Sequence, residues 1–269
     1  VSQLLFTAFS NRADALELAH VAGRQLQKDG ITSSVHMLDV DAAPDLDSST
    51  LVVSLGGDGT FLKSARLAHA AGARVLAVNL GTVGFLLNVP PDDVVADAKS
   101  AFKVEDVVNR LALLITVSGT TIQEFALNEV VVERAQAGHM VRLQTFVGDD
   151  EYLTYSADGV MVSTATGSTG YSFSAGGPVV EANLPVMILT PVAPHFTIDR
   201  SIVVGDDKVI RLVADDKPAV IVADGRDIGS LGEGQYVEVR KSPTPVRVVA
   251  TRSFNLASRL HEGLREGHA

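Results

Sequence analysis

Leu51-Val52-Val53-Ser54-Leu55-Gly56-Gly57-Asp58-Gly59-Thr60 carries the strongest indication of architecture in the chain. Its first half is apolar without alternation, as expected of a strand buried on both faces of a parallel sheet. The glycines then release the chain into a helix over about Phe61–Ala71 that stops at Gly72, and Val75–Leu80 forms the next strand. Upstream, Leu4–Phe9 reads as a strand. Asn11, with Asp14 three residues on, is placed to cap a helix whose apolar stripe is Leu16, Ala19, Ala22 and Leu26. Gly30 stands at the helix C-cap, Ile31–Leu38 is a second strand, and Asp39–Thr50 is a loop. Repeated β-α-β units imply a parallel sheet covered on both faces.

The pattern changes after about Lys103. Short apolar runs follow at Leu111–Val117, Phe125–Glu133, Val141–Val147, Val160–Ser163, Val186–Leu189, Ile202–Val204, Val209–Ala214, Ala219–Ala223, Tyr236–Arg240 and Val246–Ala250. Turn residues such as Gly119, Gly148-Asp149-Asp150, Asp215–Pro218 and Gly234 separate them, which predicts an antiparallel, sandwich-like β domain. Phe254–Leu264 returns to a helical pattern. The expected class is therefore α/β plus β: an N-terminal α/β domain over 1–105, with 254–269 packing back on it, and a β-rich domain over 106–253.

Composition narrows the functions. The chain has 269 residues, 46% hydrophobic and 20% charged, enough apolar surface for packed cores and too much for dominant disorder. No apolar run reaches the ~18 residues a membrane span needs. The opening Val1-Ser2-Gln3-Leu4-Leu5-Phe6 lacks a basic segment and a cleavage pattern, so it does not read as a signal peptide; starting at Val, it reads as a trimmed or processed terminus. With no Cys, disulfides, thiolate metal sites and a Cys nucleophile are excluded, in keeping with a cytoplasmic enzyme. A net charge of −10 opposes nucleic-acid binding, and the absence of Trp removes the best stacking residue for single strands. Anionic ligands must then be held by local devices such as helix N-termini, backbone N–H groups, single cations or a metal.

Three segments can carry chemistry. Gly56-Gly57-Asp58-Gly59-Thr60 leaves a parallel strand and opens a helix, where α/β sheets bind ligands. Its glycines admit a phosphate to the main chain. Asp58 repels that phosphate, so it reads as a Mg²⁺ partner, an acceptor of a hydroxyl proton, or a helix cap. Neither a dinucleotide-binding GxGxxG nor a Walker A loop is present. The run Asp158-Gly159 through Ser163-Thr164-Ala165-Thr166-Gly167-Ser168-Thr169-Gly170-Tyr171-Ser172 to Ser174-Ala175-Gly176-Gly177 concentrates hydroxyls and glycines suited to ribose and phosphate oxygens; a polar loop is the alternative. Asn128-Glu129 interrupts an apolar strand, which costs stability unless the pair is hydrogen-bonded or functional. His195, in a loop fixed by Pro191 and Pro194 before it, is a weaker candidate, and no His spacing suits a metal.

Taken together these segments resemble the NAD kinase family. Gly56–Thr60 is similar to its first motif, Asn79–Leu86 to the following loop, Asn128-Glu129 to its Asn-Glu/Asp motif, and Asp158–Gly177 to its long Gly/Ser/Thr-rich motif; Val222-Ala223-Asp224-Gly225 is a weaker likeness. The resemblance implies transfer of the γ-phosphate of ATP, or of inorganic polyphosphate, to the 2′-hydroxyl of the adenosine ribose of NAD. It implies Mg²⁺ or another divalent cation held mainly by donor phosphates, and a cytoplasmic homodimer or homotetramer with neither nucleic acid nor membrane as partner. By position it makes Asp58 the catalytic base. NAD would be bound by Asp58, Gly59, Phe85, Asn128, Glu129, Asp158, Thr169, Gly170, Tyr171 and Ser174. Gly56, Gly57, Thr60, Lys63 and Arg66 would serve the donor phosphates. Ala165, Gly170 and Asp199-Arg200-Ser201 stand where the family commonly has Pro, Ala and Asn-Arg-Pro. Two competing readings are a lipid or sugar kinase sharing the Gly-Gly-Asp-Gly block and a non-catalytic NADP(H)-binding regulator. The first leaves Asn128-Glu129 without a use, and the second would favour Arg or Lys over Asp58.

Overall fold

The computed structural model describes residues 3–81, 86, 89–103, 107–195, 197–251, 255–258 and 261. The chain forms two compact units, Val1–Asn109 with Val246–Ala269, and Arg110–Pro245. In the first, strands β1 (Gln3–Ala8), β2 (Thr32–Met37), β3 (Leu51–Gly56), β4 (Arg74–Asn79), β5 (Val107–Arg110) and β18 (Val246–Val249) form one sheet in the order β2-β1-β3-β4-β18-β5. The pairings β1–β2, β1–β3, β3–β4 and β4–β18 are all parallel. Helix α1 (Ala13–Lys28) follows β1, α2 (Asp58–Ala71) joins β3 to β4, and α3 (Val94–Lys103) precedes β5.

Burial on both faces accounts for the unbroken apolar strands. Leu4, Phe6, Leu51, Val53, Leu55, Leu76 and Val78 pack with Ala15, Ala19, Ala22 and Leu26 of α1 and with Val94, Ala98 and Ala101 of α3. The alternate residues Leu5, Thr7, Val52, Ser54 and Val75 are buried too. Thr7 faces α2, where its hydroxyl meets Ser64 Oγ at 2.7 Å. Helix α1 ends as expected, with Gly30 at φ 76° and its N–H on Gln27 O at 3.0 Å. Its start differs. The N-cap is Arg12, not Asn11, and the Arg12 guanidinium grips Asp14 at 2.9 and 2.7 Å and donates to Leu80 O at 3.1 Å. A fork of charge-assisted bonds replaces the side-chain cap. Of the expected terminal helix, Leu256–Ser258 and His261 are described, and they are helical.

The second unit is a pair of antiparallel sheets. One has the order β10-β9-β14-β17-β6-β7, built from β6 (Leu113–Val117), β7 (Gln123–Ala126), β9 (Val141–Val147), β10 (Asp150–Ala157), β14 (Ile210–Ala214) and β17 (Tyr236–Lys241). The other has the order β13-β12-β11-β8-β15-β16, built from β8 (Glu129–Arg134), β11 (Gly159–Thr164), β12 (Val186–Val192), β13 (Ile202–Gly205), β15 (Ala219–Ala223) and β16 (Arg226–Leu231). Inward residues of both sheets, among them Leu113, Ile115, Leu143, Tyr155, Val160, Leu189, Leu212 and Ile221, share one core. A helical turn, α4 (Tyr171–Ser174), follows β11 after a short 3₁₀ segment at Thr166–Thr169. One expectation fails: Val246–Ala250, read with the antiparallel strands, supplies β18 of the first unit's parallel sheet. Four apolar residues look alike in either setting, and only their distant partners differ.

Candidate functional site

In the first unit the sheet changes direction between β1 and β3, since α1 carries the chain outward from β1 one way and α2 carries it from β3 the other. The carboxyl ends of two such strands frame the usual ligand crevice of an open α/β sheet. The glycines leaving β3 have different jobs. A Cβ on Gly56 would stand 2.2 Å from Thr60 Oγ1, so Gly56 is required by packing. Among the described residues a Cβ on Gly57 or Gly59 would meet nothing within 4 Å, and the backbone of Gly57 is extended (φ −99°), so the packing of the described residues needs neither glycine. What they provide is bare main chain beside Asp58. That residue opens α2 immediately after the N-cap Gly57, so it is not the capping residue. Leu86 N–H approaches its Oδ1 at 3.4 Å. The first intrahelical bond runs from Phe61 N–H to Gly57 O at 3.0 Å, leaving the preceding N–H groups at the positive helix end.

Lys63 and Arg66 are exposed one turn along α2. The Lys63 ammonium lies 4.5 Å from the centre of the Phe9 ring, at the end of β1. Thr60, expected at the donor phosphates, is 5% exposed with its side chain against Gly56; its place is in the packing of the turn. Phe85 lies outside the described residues.

In the second unit the strand expected over Phe125–Glu133 is broken at Leu127 and Asn128, between β7 and β8, and Glu129 is the first residue of β8. Three consecutive N–H groups there point at one carboxylate: Leu127 N–H donates to Asp224 Oδ2 at 2.7 Å, and those of Asn128 and Glu129 to Oδ1 at 2.8 and 3.2 Å. On its other side the corner is clamped by β11 and the 3₁₀ segment. Thr164 N–H donates to Asn128 O at 2.8 Å, and Thr164 Oγ1 donates to Leu127 O at 2.6 Å. Gly167 passes so close that a Cβ would fall 2.2 Å from Asn128 O. Held in this way, Asn128 and Glu129 are buried, yet among the described residues Asn128 Oδ1 and Glu129 Oε2 have no hydrogen-bond partner. Burial, then the Asp224 charge, push the Glu129 carboxyl up to about 7 against the opposing Tyr171 N–H.

Around this corner stand Gly170, whose added Cβ would touch Glu129 Oε2 at 3.3 Å and Asn128 Nδ2 at 3.4 Å, and Tyr171, 43% exposed. Burial and the charges of Glu133, Asp158 and Glu129 raise the Tyr171 hydroxyl, with Arg134 opposing. Asp158 is paired with Arg134, a partner the sequence did not suggest. Thr169 is half-buried and Ser174 exposed. Much of the hydroxyl run is used inside the protein. Ser168 Oγ donates to Val180 O at 3.1 Å and accepts from Val180 N–H at 3.0 Å, while Ser172 Oγ meets Thr190 Oγ1 at 3.3 Å. The run builds the loop, and its outer members face solvent. The first unit offers a carboxylate on a glycine turn, and the second, by itself, a corner of buried acceptors without a partner among the described residues.

Residues 17–107 match the family model described as ATP-NAD kinase N-terminal domain, and residues 127–251 that of the ATP-NAD kinase C-terminal domain. The NAD kinase of Heliobacterium modesticaldum is 36% identical over 243 residues, covering 88% of this chain and 86% of the relative. That of Moorella thermoacetica is 37% identical over 225 residues, covering 80% and 71%. Among solved structures, an NAD kinase from Archaeoglobus fulgidus in complex with ATP aligns with TM-score 0.71 at 25% identity, covering 99% of this chain and 98% of that one. A yeast NADH kinase complexed with NADH aligns with TM-score 0.81 at 22% identity over 99% and 89%, a likeness of fold.

Proposed function

The chain belongs to the NAD kinase family, and we propose that it transfers the γ-phosphate of ATP to the 2′-hydroxyl of the adenosine ribose of NAD with Asp58 as the base. It is an enzyme of the NAD kinase type. The observation that carries the reading is Asp58 between two glycines that the packing of the described residues does not need, at the positive end of α2. A secondary hydroxyl is a poor nucleophile, so its proton must leave as the new P–O bond forms. A placed carboxylate that accepts it gains about 10²–10⁴ in rate. Gly57 and Gly59 let the reacting groups reach the main chain, and Lys63 and Arg66 draw the donor phosphates. In the second unit Asn128, Glu129, Asp158, Thr169, Gly170, Tyr171 and Ser174 recognise the dinucleotide.

A divalent cation is tested by the donor set. Among the described residues no three His, Asp or Glu side chains gather as a metal cage. Mg²⁺ carried on the donor phosphates, with Asp58 as its one carboxylate contact, fits this set, because Mg²⁺ keeps much of its water and uses few protein ligands beside phosphates. When bound it neutralises charge on the transferring phosphoryl group. Inorganic polyphosphate as an alternative donor, a homodimeric or homotetrameric state and a cytoplasmic location belong to the same reading. Among the described residues no helix is long and apolar enough to cross a membrane. Asp58→Asn in a coupled assay with NAD, ATP and Mg²⁺ tests the base: turnover should fall by about 10²–10⁴ with NAD affinity within threefold of the parent. Parental turnover would remove Asp58 from that role. Replacing ATP by polyphosphate in the same assay settles the donor, and light scattering on the eluting protein settles the assembly.

A further inference from the structure

Asp224 is a residue that the mechanism above does not use. It lies in the turn between β15 and β16 with φ at +44°, one of two non-glycine residues at positive φ among those described, and Gly225 follows at +73°. A non-glycine residue in that region is strained, so the surrounding structure must over-determine it. Here the carboxylate does so. It receives the N–H groups of Leu127, Asn128 and Glu129, and Asp224's own N–H donates to Glu129 O at 3.0 Å. In a strand, successive N–H groups point to opposite sides; three directed at one anion form a nest, and a nest has to depart from strand geometry. The nest sits at the corner where the chain passes from the sheet of β7 to the sheet of β8.

We propose that Asp224 is a positioning residue for the acceptor nucleotide: it fixes the main chain of residues 127–129 so that Asn128 Oδ1 and Glu129 Oε2 stand free and converge on hydrogen-bond donors of the nucleoside, its ribose hydroxyls or adenine N–H. This rests on the NAD kinase reading above. A buried acceptor without a donor is costly, and among the described residues Asn128 Oδ1 and Glu129 Oε2, on adjacent residues of this corner, are both in that state. Thr164 and Gly167 hold the Asn128 carbonyl, and Asp224 holds the N–H groups, so the corner is fixed from both sides.

The same carboxylate acts on Glu129 through its charge. The groups facing Glu129 are Asp224 from the β15–β16 turn and the Tyr171 N–H from α4. Glu133, Arg134 and Asp158 face Tyr171. On Asp224 itself, burial raises the carboxyl, while the three N–H groups and Arg226 lower it; the Arg226 guanidinium is tied to Glu124 and the Phe125 carbonyl, each at 3.3 Å. Removing the Asp224 charge should therefore let Glu129 ionise at lower pH.

The test uses the whole chain with NAD, ATP and Mg²⁺. Asp224→Asn should raise KM for NAD about tenfold or more, leave KM for ATP within twofold, and move the acid limb of kcat/KM for NAD, centred near 7 in the parent, to lower pH. In a Glu129→Gln background the same substitution should no longer shift that limb. Asp224→Glu keeps the charge and displaces the carboxylate, so KM for NAD should rise while the limb stays. Should Asp224→Asn fail to fold, amide exchange in the unaltered protein decides: Leu127, Asn128 and Glu129 N–H should exchange as slowly as those of the neighbouring strands. Unchanged KM for NAD in both variants, or fast exchange at the three amides, overturns the proposal. An unaltered chain that does not phosphorylate NAD overturns the functional reading instead.

Discussion

Gly56 and Gly59 are three residues apart and should respond oppositely to a methyl group. Gly56→Ala drives a Cβ into Thr60, and overpacking of this kind costs about 1–3 kcal/mol, so thermal unfolding should move down by several degrees. Gly59→Ala meets open space in the first turn of α2, where Ala is favoured over Gly by up to ~1 kcal/mol; its melting temperature should hold or rise while NAD phosphorylation falls. Loss of stability without loss of specific activity in Gly59→Ala would refute the division of labour. Glu129 gives a pH dependence. Its carboxyl is pushed up to about 7 from an ordinary 4.5, so between those values the folded chain binds more protons than the unfolded one. Stability from this group should thus decline as pH rises from 4.5 to about 7 and level off above. Glu129→Gln should remove that slope, leaving the variant relatively more stable at pH 8 than at pH 4, as chemical denaturation at the two pH values would report. Of these residues the sequence displayed Asp58 and Asn128-Glu129 plainly, because a charge in a glycine turn and polar residues in an apolar run are local anomalies. Asp224 stood only within the weaker likeness Val222–Gly225, with no role attached. Asp-Gly between two strands is also the ordinary chemistry of a hairpin turn, and its partners lie almost a hundred positions away.

At the scale of elements, legibility followed burial. Strands β1, β3 and β4 could be read because both faces are covered, and α2 because glycines bracket it. Helix α3 and strands β5, β10 and β16 went unread; β10 and β16 alternate weakly, with half-exposed residues on both faces, and carry little periodic signal. The loop between β11 and β12 was recognised for its composition, but composition does not tell which hydroxyls face inward. Ser168 illustrates the difference. It is fully buried and bridges both polar groups of Val180, so Ser168→Ala leaves them unpaired at a cost of about 1–3 kcal/mol. Amide exchange over 165–180 should accelerate in that variant, with the strands of the same sheet unaffected. Exchange unchanged across the loop would mean that the bond does not hold it.

At the scale of the whole molecule, the second unit is an excursion from the first. The chain leaves the parallel sheet at β5 and re-enters it as β18, which lies between β4 and β5. Cutting the chain after Pro245 removes that strand, so limited proteolysis should then attack residues 3–109 while the antiparallel unit resists. Equal resistance of both units would show that β18 is dispensable. The arrangement also sets an order of events during synthesis. A ribosome delivers β4 and β5 long before the strand that joins them, and a nascent first sheet must wait with two inner edges unpaired until more than a hundred further residues have emerged. The half that is translated first is in this way the half that is finished last, and its exposed edges are where a chaperone has most to protect.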